Sequence, residues 1–244
     1  MTLISPLHRS SIRTPIVQLS LDLISIEEAL VTARIAVDCG IDWLEIGTPL
    51  LLAEGLHAVR RLRRDFADHP LVVDLKTMDG GYLEAEMMAR AGADAVVVMS
   101  RAHDATVTRV CQAGATYDLL VMGDDLGEPD PIIAADRLEN LGVGALIHHV
   151  GFDHRGENPD TPSPLAALPD LVAATRVPVQ AVGGLSIDDA IACPGLGAPL
   201  VVLGAPLAIS ADAFTTADDL AAVLGDVVTR LHATPVTYPT ADAP

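Results

Sequence analysis

Eight short apolar runs recur along this chain, separated by longer segments of helical period, and that repetition restricts the fold more than any other feature. The runs lie at 16–21, 43–46, 71–75, 95–99, 119–122, 145–149, 179–182 and 200–203. They are rich in Val, Ile and Leu and nearly continuous, which marks strands of a parallel sheet buried on both faces. Between them the periodicity predicts helices over 25–39, 52–64, 82–91, 105–113, 131–141, 164–174 and 218–231, with at most a short one at 186–191. Eight strand–helix repeats in 244 residues fit a closed (β/α)8 barrel better than an open doubly wound sheet. The expected architecture is a single-domain α/β TIM barrel over 15–232. A short N-terminal extension, 1–14, precedes it, and a Pro-containing tail, 233–244, expected to be mobile, follows.

Half of the chain is apolar but only 3% is aromatic, so the core must be built from Ala, Val, Leu and Ile. A net charge of −18 sets up a field that repels polyanions, which argues against nucleic acid or an anionic membrane as partner. No apolar run reaches transmembrane length and the first residues lack a signal-peptide core, so a cytoplasmic protein is expected. Cys39, Cys111 and Cys193 are far apart in unrelated contexts and are read as small buried apolar residues rather than as metal ligands or a disulfide framework.

Active sites of such barrels are built at the C-terminal ends of the strands. Here those ends carry Asp22, Glu45, Asp74 with Lys76, Asp124, and His149. Lys76 is the single lysine, the rest of the fifteen basic positions being arginine, and it lies between Asp74 and Asp79. Its compact ammonium makes it the first candidate for a reacting group, the plain alternative being a partly buried ion pair. Strand pleating predicts that Asp74 and Lys76 share a face. Several carboxylates at one mouth repel one another unless a cation lies between them. Mg²⁺, which takes one or two protein carboxylates and fills its octahedron with water and substrate oxygens, suits Glu45 and Asp74 as ligands. The alternative is that both merely neutralise Lys76. Histidine is the side chain suited to proton transfer near neutral pH, so His149 is the candidate proton carrier, while His148, facing the other way, is read as structural. Gly183, Gly184 and Gly204 follow the last two strands, where backbone N–H groups can approach a phosphate.

These segments resemble the orotidine-monophosphate-decarboxylase superfamily, and within it the 3-hexulose-6-phosphate synthases. The resemblance covers roughly 16–207. It rests on Leu19-Ser20-Leu21-Asp22, Glu45-Ile46-Gly47-Thr48-Pro49, the run from Asp74-Leu75-Lys76-Thr77-Met78-Asp79 through Gly80-Gly81-Tyr82-Leu83-Glu84-Ala85-Glu86, His149-Val150-Gly151-Phe152-Asp153, and Val182-Gly183-Gly184. It implies a Mg²⁺-dependent aldol reaction of the ribulose monophosphate pathway, joining formaldehyde to D-ribulose 5-phosphate through an enediolate to give D-arabino-hex-3-ulose 6-phosphate. By the same resemblance Glu45 and Asp74 are metal-site acids, Lys76 is the cation beside the enediolate, and Asp22 and Asp124 contact substrate. His149 carries the proton, and Asp79 reaches into the partner subunit's site of a homodimer.

Three features depart from the family pattern. Gly204 is followed by Ala205-Pro206, which supplies no side-chain cation for a phosphate. Arg155 could supply that charge, or be a solvated loop residue. The stretch 153–164 does not continue in the usual way and is read as a loop, and the N-terminal extension has no reading. The rival enzyme is a 3-keto-L-gulonate-6-phosphate decarboxylase, which shares the enediolate chemistry but usually carries Arg where this chain has Phe152. A pathway-specific enzyme for a related sugar is a further alternative, and a non-catalytic scaffold a remote one.

Overall fold

Strands that are apolar on both faces need cover inside and outside, and closing the sheet on itself provides it. The computed structural model describes residue 4 and residues 7–205 and 219–238. It contains eight parallel strands in a closed barrel, each neighbouring the next and the last neighbouring the first. They are β1 (Ile16–Leu21), β2 (Trp43–Ile46), β3 (Leu71–Thr77), β4 (Ala95–Met99), β5 (Leu120–Asp124), β6 (Ala145–His149), β7 (Val179–Val182) and β8 (Leu200–Ala205). The helices are α1 (Ile26–Asp38), α2 (Thr48–Glu54), α3 (Leu56–Asp65), α4 (Gly81–Ala91), α5 (Asp104–Tyr117), α6 (Pro131–Leu141), α7 (Phe152–Glu157), α8 (Leu168–Ala174), α9 (Ile187–Ala192) and α10 (Leu220–His232).

Alternation along each strand divides the core in two. On β1, Val17, Leu19 and Leu21 join the large layer between strands and helices. Trp43, Val72, Ala95, Val97, Met122, Ala145, Ile147 and Leu200 form a smaller cluster of their own. Ile4 and Leu7 belong to that second cluster, so these two residues of the N-terminal extension pack at the floor of the barrel, against the first residues of several strands. Arg9 ties the extension down by donating to the carbonyls of Val172 and Thr175 at the end of α8.

The structure corrects several expectations. The helix expected over 52–64 is two, because Gly55 adopts φ 59°, ψ −149° and breaks it between α2 and α3. The helix expected over 164–174 begins as a 3-10 turn, Pro164–Ala166, before α8. The loop expected over 153–164 opens with α7. The beginning of the supposedly mobile tail is held in place: Val236 N–H donates to Arg13 O at 3.2 Å and Thr237 N–H to Pro194 O at 3.0 Å. The Arg9 guanidinium lies 4.9 Å from the Tyr238 ring centre, joining the two termini; residues 239–244 lie outside the described residues. Cys39 and Cys111 are partly exposed and only Cys193 is buried; all three are free.

Candidate active site

The register of the strands decides which of the expected residues meet. Ser20 on β1 lies opposite Glu45 on β2, and Glu45 lies opposite Val72, two residues before Asp74 on β3. Glu45 is buried and accepts hydrogen bonds from Ser20 Oγ at 2.6 Å and from Gln18 Nε2. Ser20 Oγ also reaches Asp22 Oδ1 at 3.1 Å. Gly47, just past β2, makes room for that carboxylate, since a Cβ there would stand 2.2 Å from Asp22 Oδ1.

Asp74 and Lys76 are in direct contact, Lys76 Nζ donating to Asp74 Oδ2. The shared face comes from more than strand pleating. The β3–β4 register is irregular between Val73 and Thr77, and Lys76 adopts φ 50°. For a side chain with a Cβ that conformation costs about 1–2 kcal/mol, and such strain gathers at functional sites. Thr48, at the start of α2, donates its hydroxyl to Asp74 Oδ2 at 2.7 Å and accepts from Lys76 Nζ at 3.2 Å. Burial disfavours the Lys76 ammonium, but Asp74, with Asp124 and Glu45 further off, outweighs it and holds the pKa above the ordinary lysine value. Lys76 is therefore a permanent cation at neutral pH.

Across the mouth, Asp124 Oδ2 meets His149 Nδ1 at 3.0 Å, while Asp124 Oδ1 accepts from Leu126 N–H at 2.8 Å. His148 faces the other way and pairs with Asp125 Oδ2 at 2.7 Å; the second oxygen of Asp125 accepts the His149 backbone N–H at 2.8 Å. Sequence reasoning singled out neither Asp125 nor the group Gln18, Ser20 and Thr48. Gln18 and Ser20 did carry a signal, being polar residues at alternate positions of an otherwise apolar strand.

The acids crowd one another. Burial first, then Asp74 and Asp22, push the Glu45 carboxyl well above the usual carboxylate range. Burial, with Asp74 adding to it, raises Asp22 to about 6, the Ser20 hydroxyl and Lys76 opposing. This uncompensated negative charge is what a divalent cation relieves. Among the described residues no three His, Cys, Asp or Glu side chains converge as a metal-binding group. A pair of carboxylates with water and substrate completing the shell is, however, a usual arrangement for Mg²⁺, and each Glu45 oxygen keeps a second lone pair beside its present bond. The residues fit that ion.

Other candidates stand apart from this cluster. Asp79 is exposed in the turn between β3 and α4 and lines, with Lys76, Gly80 and Glu84, an open cavity of about 540 Å³. Gly183 and Gly184 follow β7 with φ 112° and 69°, and Arg155 on α7 rests against Gly184. Gly204 and Ala205 end β8 opposite Ser20 and Leu21, and 206–218, which follow, lie outside the described residues.

A parallel eight-stranded barrel with a lysine, four acids and a histidine at the C-terminal ends of its strands defines an enzyme of the TIM-barrel class. Residues 15–178 match the family described as orotidine 5'-phosphate decarboxylase / HUMPS, and the chain belongs to that family. It is similar to 3-hexulose-6-phosphate synthase of Mycobacterium gastri, with 32% identity across 85% of this chain and 98% of the relative. The corresponding enzyme of Bacillus subtilis is 29% identical over 83% of this chain and 95% of its own length. A crystal structure of a 3-hexulose-6-phosphate synthase superposes with TM-score 0.76 at 30% identity, covering 89% of this chain and 98% of the other. The 3-keto-L-gulonate-6-phosphate decarboxylase of Vibrio cholerae gives 0.73 at 26%, covering 89% and 99%.

Proposed function

We propose that this chain joins formaldehyde to D-ribulose 5-phosphate, giving D-arabino-hex-3-ulose 6-phosphate through an enediolate, with Mg²⁺ as cofactor. The observation that carries the reading is the placement of a fixed cation, Lys76, between the crowded acids Glu45, Asp74 and Asp22 on one side and the Asp124–His149 pair on the other. Glu45 and Asp74 would hold the ion, whose Lewis acidity favours charge developing on the ketose oxygens.

The chain's own groups supply the remaining chemistry. When His149 Nδ1–H donates to Asp124 Oδ2, Nε2 keeps a lone pair able to take the proton beside the ketone and return it. Lys76 cannot act as a base while Asp74 holds it protonated. Its role is to stabilise the enediolate oxyanion, an interaction stronger in the transition state than in the bound ketose. Thr48 fixes the direction of that ammonium by bonding both it and Asp74. Asp22 and Asp124 would contact sugar hydroxyls. Formaldehyde offers little surface, so positioning rests on the sugar phosphate, with the Gly183–Gly184 turn and the end of β8 as its phosphate side.

The same reading makes the enzyme a homodimer in which Asp79 completes the neighbouring subunit's site. Asp79 is exposed here, and Met78 and Leu83 beside it are 51% and 62% exposed, apolar surface that a second copy would cover. Among the described residues no helix is long and apolar enough to cross a membrane, and the proposed reaction belongs in the cytoplasm.

The test is formaldehyde consumption by the purified protein with D-ribulose 5-phosphate, with Mg²⁺ or with EDTA. Loss that needs both ketose and Mg²⁺ is expected. No loss alongside CO₂ release from 3-keto-L-gulonate 6-phosphate would replace the reading with the decarboxylase one, to which the Vibrio cholerae structure is the pointer.

A further inference from the structure

The turn after β7 is built around a guanidinium from a different element. At Gly183 a Cβ would stand 2.0 Å from Val150 O, and at Gly184 it would stand 2.1 Å from Arg155 Nη1. Gly183 is held to glycine by the Val150 carbonyl and by its φ of 112°, and Gly184 by its φ of 69°, with the Arg155 guanidinium filling the space beside it. Arg155 is carried by α7, in the stretch expected to be a loop. Its Nε donates to Val150 O at 3.4 Å and its guanidinium stands 5.8 Å from the Phe152 ring centre. Among the described residues it forms no ion pair with any carboxylate, in a chain of net charge −18 where most arginines have one. The backbone N–H groups of Gly183 and Gly184 likewise meet no acceptor among the described residues.

We infer that Arg155 is the specificity residue for the phosphate group of the substrate, clamping a phosphate monoester against the Gly183–Gly184 turn. A cation with no acid partner, standing beside Gly184 in a turn with two free backbone donors, matches a dianionic ligand in charge. A guanidinium can present two parallel N–H donors to phosphate oxygens, which a lysine cannot. The charge that β8 does not supply through Ala205 comes instead from α7. The position six residues past His149 makes the clamp part of the segment that also carries the proposed proton carrier, so binding the phosphate and orienting the ketose are linked. The inference rests on the phosphosugar reading above, and deepens it by naming the group that distinguishes phosphorylated from free sugars.

The experiment is calorimetric titration of the Mg²⁺-loaded enzyme, wild type and Arg155→Gln, with D-ribulose 5-phosphate, D-ribulose and inorganic phosphate. Expected is a loss of about 10-fold or more in affinity for the phosphate ester and for inorganic phosphate in the variant, the range for a charge-assisted contact, with affinity for free ribulose unchanged. Gly184→Ala, whose new methyl group must displace the guanidinium, should reproduce that pattern without removing the charge. Arg155→Lys should recover only part of the loss. Circular dichroism and melting temperature show whether each variant is folded. Wild-type affinity of folded Arg155→Gln for both phosphate ligands would overturn the clamp, as would a wild type that binds neither. If the wild type binds inorganic phosphate through Arg155 but ignores D-ribulose 5-phosphate, the clamp stands and the choice of ketose is what fails.

Discussion

At the scale of single residues, the contacts separate groups that hold charge from groups that move protons. Lys76 is pinned by Asp74 and Thr48 and remains charged, so Lys76→Ala removes an oxyanion partner and leaves Asp74 facing Glu45 without compensation. Turnover is expected to fall by about 10²–10³-fold or more with the fold intact by circular dichroism. Activity within a few-fold of wild type would remove Lys76 from the chemistry. Asp22 gives a pH prediction. Its folded pKa of about 6 lies above the unfolded value of 3.8, so between those values the folded state binds more protons than the unfolded one. Stability of the metal-free protein therefore falls as pH rises through that window, the cost being absent below pH 3.8 and fully present above about 6. Melting curves in EDTA from pH 4 to pH 7 should show the decline, and Asp22→Asn should flatten it. An equal slope in the variant would contradict the assignment.

At the scale of elements, the ends of the strands carry function and the floor carries stability. The N-terminal extension inserts Ile4 and Leu7 beneath the barrel, and Arg9 caps the carbonyls that end α8 while stacking near Tyr238. Removing hydrogen bonds from a charged donor costs about 1.5–3 kcal/mol, so Arg9→Ala should lower the melting temperature by about 3–10 °C. Because the floor and the catalytic mouth are at opposite ends of the barrel, kcat/KM should not change. A shift in kcat/KM with no shift in melting temperature would show that the floor is not separate from the site. α2 is the element where structure and chemistry meet. The break at Gly55 frees it from α3, and it presents Thr48 to the Asp74–Lys76 pair.

At the scale of the whole molecule, the exposed Asp79 and its apolar neighbours make assembly part of the proposed mechanism. If Asp79 acts in the neighbouring subunit, co-refolding Lys76→Ala with Asp79→Ala should restore activity that neither variant has alone. The mixed dimer then carries both lesions in one site and leaves the other intact. No recovery, with mixed dimers verified by tagged co-purification, would place Asp79 in its own subunit's site or outside catalysis.

By itself the sequence determined the barrel and the roster of charged groups at its mouth. Both are local properties. An apolar run is a strand wherever it pairs, and the residue that ends it stands at the strand's C-terminal end whatever its neighbours. Five of the eight strands have the expected bounds, and β3, β5 and β8 differ by a few residues at their ends. What tertiary structure alone decided is which groups touch. Pairing Asp124 with His149 and Asp125 with His148, holding Glu45 by Gln18 and Ser20, and seating Arg155 on Gly184 all depend on how neighbouring strands and the segments after them are brought side by side. That arrangement is set when eight twisted strands close into one barrel, a condition on the whole sheet that no single segment contains.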